Sequence, residues 1–157
     1  VLTGAFKAQL RNGSLAPNKS IKKMIQPIIE NSYLVEINLG TLAAQKQINF
    51  NFIPQLEGSI IYGIQTFSGS DVTTSPNGST VSATAGLASI NVTFSVGDNQ
   101  DIFLMPVSDL RSGNISGFVR MFANKKLNLT KSFITLNSVT GLNNNESILF
   151  QFLYRKA

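Results

Sequence analysis

The chain contains no cysteine, no histidine and no tryptophan. Without cysteine there is no disulfide staple and no thiol nucleophile, and redox chemistry says nothing about compartment. Without histidine or cysteine the common catalytic triads cannot be built. Charge is also scarce. Asp, Glu, Lys and Arg make up 13% of the residues, about half the usual share for a soluble domain. No apolar run approaches the roughly 18 residues of a membrane-spanning helix. No glycine-rich phosphate loop and no metal-binding motif is present. This inventory points away from an enzyme: no catalytic residue, no metal ligand and no cofactor is expected.

What replaces charge is Asn, Ser, Thr and Gln. A surface coated with neutral polar groups repels its own copies weakly, so close assembly is favoured over free diffusion. The charge that exists is unevenly spread. Residues 1–46 sum to +4, residues 47–110 contain no Lys or Arg and sum to −5, and residues 111–157 sum to +6. Basic termini therefore flank an acidic middle. If both termini lie at one end of the domain, the molecule has a positive and a negative pole. Lys19, Lys22, Lys23, Lys125, Lys126, Arg155 and Lys156 are the candidate contacts for an anionic partner.

With 157 residues the chain fits one domain with a real core. Its organising stretch is 47–67, QINFNFIPQLEGSIIYGIQTF. Ile48, Phe50 and Phe52 alternate with Asn49 and Asn51, so a strand there would bury one face and leave the other neutral and polar. Pro54 and Gly58 break the pairing and reverse the chain. Further β-prone runs cover 33–39, 59–67, 89–96, 101–107, 117–123, 127–139 and 147–154, with a short one at 81–84. Residues 68–80 form a long polar loop. Eight to ten short strands with at most one helix predict an all-β fold, an antiparallel β-sandwich or barrel. Residues 1–32 read as a basic arm or short helix, and residues 33–157 as the sandwich. The aromatic stripes Phe50/Phe52, Phe118/Phe122 and Phe150/Phe152/Tyr154 have strand period and are expected in the core.

Two clusters have simpler readings. Asp98, Asn99 and Asp101 could gather oxygens for Ca²⁺, but a β-turn prefers Asp and Asn at such positions and no full ligand loop surrounds them. The carboxylates Glu57, Asp71, Asp98, Asp101 and Asp109 could supply an acid pair for glycoside hydrolysis, but each sits where solvated loop charge is ordinary.

A basic arm, about eight strands, long polar loops and a final strand SILFQFLYRK ending in basic residues form a recognisable pattern. It resembles the single jelly-roll coat proteins of tailless icosahedral viruses and phages. The resemblance implies a sandwich of two four-stranded sheets whose copies tile a capsid. Partners would be copies of the chain and other virion proteins, with the basic pole facing nucleic acid or an internal membrane. A trimeric jelly-roll head, or a lectin-like adhesin that binds a receptor or glycan, is the alternative. The neutral face carrying Asn49 and Asn51 is the candidate contact with a neighbouring copy.

Overall fold

A computed structural model describes residues 31–97, 101–111, 119–120 and 126–157. Eight strands run in the order β1 (Asn31–Asn38), β2 (Gln47–Asn49), β3 (Ile60–Phe67), β4 (Ile90–Val96), β5 (Asp101–Pro106), β6 (Val119–Arg120), β7 (Leu127–Leu136) and β8 (Ser147–Arg155). One helical turn, α1 (Thr84–Leu87), and a 3-10 turn at Val107–Leu110 are the helical elements among the described residues. Strands β1, β4 and β8 read directly from apolar alternation. In β4, for example, Ile90, Val92, Phe94 and Val96 are fully buried on one face.

The strands form two four-stranded sheets, ordered β1-β8-β3-β6 and β2-β7-β4-β5. Every ladder is antiparallel. Successive strands mostly belong to opposite sheets, and the last strand slots between the first and third. That strand order is the jelly roll, two Greek keys wrapped on each other.

The inner faces meet around four phenylalanines. Phe50 and Phe94 come from the second sheet side, Phe150 and Phe152 from β8. Their ring centroids lie 5.4–6.4 Å apart, mostly tilted or edge-on, the arrangement aromatic quadrupoles favour. Val35, Ile37, Ile61, Ile64, Ile134 and Leu136 close the core around them. Burying each such side chain contributes about 1.5–3 kcal/mol.

Two expectations are corrected. Phe52 is 62% exposed. Strand β2 stops at Asn49, so the alternation that would bury Phe52 ends before reaching it. Residues 81–84 make no strand: Val81 forms an isolated bridge to Ser147, and Thr84 opens α1. Residues 68–80 are a loop, as expected, and it is anchored: Ser68 and Ser75 are buried and donate to carboxylates. The arm at 1–32 and the pair Phe118/Phe122 lie outside the described residues, apart from Asn31 and Ser32, which already belong to β1.

Strand direction fixes two ends. Asn31 pairs with Tyr154 and Ile60 with Arg155. The start of β1, the end of β8, the β2–β3 loop and the β4–β5 turn therefore share one end. The loops at 39–46, 68–89, 107–111 and 137–146 share the other.

Candidate functional site

The basic candidates divide by what surrounds them. Ile60 on β3 pairs with Arg155 on one side and bridges Lys126 on the other. Lys126, Arg155 and Lys156 thus gather at the end where the chain enters β1. Arg155 lays its guanidinium 5.0 Å from the centre of the Tyr62 ring, a cation–π contact. The Lys156 ammonium donates to the Pro54 carbonyl at 2.8 Å. Lys126 is exposed. Glu57 and Asp101 lie at this same end, while Lys46 and Arg111 lie at the other. Lys19, Lys22, Lys23 and Lys125 fall outside the described residues, as do Asp98 and Asn99.

Of the carboxylates read as loop charge, Asp71 and Glu57 are structural fasteners, and Glu36 and Glu146 act in the same way. Glu36 accepts from the Ser75 and Ser147 hydroxyls at 2.6 and 2.8 Å and from the Asn77 backbone N–H at 3.2 Å. Burial pushes its carboxyl up, but those hydrogen bonds outweigh it and leave the group below its ordinary value. Asp71 is held low first by the Ser68 backbone N–H, then by the Arg111 guanidinium at 3.3 Å. Glu57 accepts from the Leu129 N–H, and Glu146 from Asn143. Among the described residues no group of three or more acids could hold a metal ion.

Asn49 and Asn51 are both exposed. The register places Asn49 in a row across the outer face of the second sheet: Asn49, Phe133, Thr93, Leu104. The next row reads Gln47, Thr135, Asn91, Pro106. Neither row contains a charged side chain. The Asn49 side-chain oxygen Oδ1 accepts from the Gln47 side-chain Nε2 at 3.0 Å, and Leu104 is 65% exposed. Amides and hydroxyls both donate and accept, so such a face can match a copy of itself. Lys131 stands nearby on a bulge of β7. There Thr93 opposes Phe133 but Ser95 opposes Asn128, so β7 carries extra residues that push Thr130 and Lys131 outward.

The same two asparagines border an open groove of about 440 Å³ between the sheet edges. Val35, Ile37, Ile48 and Ile53 supply its apolar lining, and Pro76 and Asn77 line it too. Sequence reasoning found the asparagines but not the groove or the role of Glu36. The available signal was a single acid in the outward set of an otherwise apolar strand, 33–39.

Comparison with protein-family profiles, curated protein sequences and solved structures gives no match.

Proposed function

We propose that this chain is a structural virion protein that self-assembles into an icosahedral shell, as a capsid or vertex building block. The observation that carries this reading is the outer face of the β2-β7-β4-β5 sheet: two rows of four side chains without a charge, one of them a largely exposed leucine. An isolated soluble domain ordinarily covers a solvated sheet face with charge. A face that must meet its own copies avoids like-charge repulsion. The jelly-roll strand order supports the reading as an analogy of fold, since jelly rolls build viral shells but also lectins. The basic end, where β8 finishes and the chain enters β1, would face an anionic partner inside the shell.

Light scattering and negative-stain imaging of the purified chain test the proposal. Pentamers, rings or shells are expected. A discrete trimer that binds a glycan, or a monomer at all concentrations, contradicts it.

A further inference from the structure

We propose that the free edge of β1 pairs with β1 of a second copy, strand against antiparallel strand, about a twofold axis at Val35. The inference rests on the self-association proposed above and names one of its contacts. Strand β1 has β8 on one side and, among the described residues, no strand on the other. The Leu39 N–H donates to the Glu146 carbonyl at 2.8 Å, continuing the register in which Asn38 opposes Ser147. Hydrogen-bonded pairs alternate along an antiparallel ladder. Odd-numbered residues of β1 therefore bond to β8, and Ser32, Leu34, Glu36 and Asn38 turn their N–H and C=O groups to the free side. Within the described residues none of those backbone groups has a hydrogen-bond partner.

This edge lacks the usual devices that block pairing. It has no lysine, no proline and no register shift along its whole length. Its one charge, Glu36, is turned onto the 75–79 turn and satisfied there. Along the strand a second copy meets one charge, Glu36, whose oxygens are already taken by hydrogen-bond donors of its own chain.

The register follows from the same alternation. Centred on Val35, Ser32 opposes Asn38 and Leu34 opposes Glu36 of the second copy, so all the outward groups find partners. Centred on Leu34, Asn38 runs past the start of the opposing strand and stays unpaired. With the Val35 centre, Tyr33 opposes Ile37 and Val35 opposes itself. These are inward-facing side chains, and they would settle over the groove that Val35, Ile37, Ile48 and Ile53 leave open. The contact joins two first sheets into one continuous sheet and covers the apolar groove at the same time.

The absence of native cysteine makes the test clean. Val35→Cys puts one thiol on the axis, at a non-hydrogen-bonded position where opposed Cα atoms lie about 4.5 Å apart, within disulfide reach. Mild oxidation should give a reducible covalent dimer. Leu34→Cys should give far less, because its two copies are diagonal neighbours about 7–8 Å apart. Separately, Leu34→Pro removes an outward donor and leaves the β8 ladder intact. It should weaken self-association about tenfold or more, while Leu34→Ala, which keeps the donor, should change it little. Circular dichroism checks that each variant folds, and if Leu34→Pro does not, the cysteine pair decides alone. A wild-type chain that assembles while Val35→Cys stays uncrosslinked, or Leu34→Pro that assembles normally, overturns the strand contact only. A wild-type chain that stays monomeric overturns both this contact and the shell.

Discussion

Phe50 and Phe52 show how far single residues can be read. Both are two positions apart in an alternating run, yet Phe50 is buried and Phe52 is 62% exposed. The difference is made by the Phe50 N–H, which still donates to the Ser132 carbonyl of β7 at 3.1 Å. Pairing ends there, and only a residue held in the ladder has its side chain aimed at the core. Phe94→Ala should therefore cost about 3–5 kcal/mol, whereas Phe52→Ser should change stability by no more than about 0.5 kcal/mol. Urea unfolding of the two variants checks the contrast. Glu36 makes a second prediction at this scale. Its folded-state carboxyl titrates below its ordinary value, so the folded state binds the proton less readily than the unfolded chain. Its stabilisation is present above the ordinary carboxylate range and is lost as pH falls through the lowered value. Thermal melts should thus lose stability on acidification more steeply in the wild type than in Glu36→Gln, which should already lack much of that stabilisation at neutral pH.

Among the elements, the strands announced themselves through apolar alternation, because a half-buried strand writes its period of two into the side chains. Strands β1, β3, β4, β5 and β8 lie within a residue or two of their expected limits. What stayed hidden depends on partners far along the chain. The β7 bulge is an example: 127–139 reads only as a β-prone run, whereas the strand is Leu127–Leu136 with Ser132 fully buried inside it. Its hydroxyl accepts from the Ser95 N–H at 3.0 Å and donates to the Asn128 carbonyl at 2.8 Å. No sequence period marks a hydroxyl that replaces a ladder bond. Ser132→Ala strands a buried donor and should cost about 1–3 kcal/mol. Faster amide exchange at Ser95 should accompany the loss.

At the scale of the whole molecule, the separation of charge in sequence is only partly a separation in space. The start of β1 and the end of β8 do meet at one end of the sandwich, bringing Lys126, Arg155 and Lys156 together. Yet Glu57 and Asp101 belong to the same end, because the β2–β3 connection, the end of β4 and the start of β5 lie there. Segment charge is legible in a sequence; which loops share an end depends on strand order, which a single sequence does not display. The neutral face was half legible. Asn49 was visible as the wet side of a strand, but its neighbours Phe133, Thr93 and Leu104 come from three other strands and only the register unites them. Asn49→Lys with Asn51→Lys should leave the melting temperature nearly unchanged and reduce assembly. If that double variant assembles like the wild type, the face is ordinary solvent-exposed sheet.

Sedimentation velocity of the purified full chain at physiological salt, across a range of concentrations, tests the central claim most directly. Self-assembly through the neutral face predicts closed, fast-sedimenting species that grow in share with concentration. A single slow boundary at the monomer position throughout the range would contradict it.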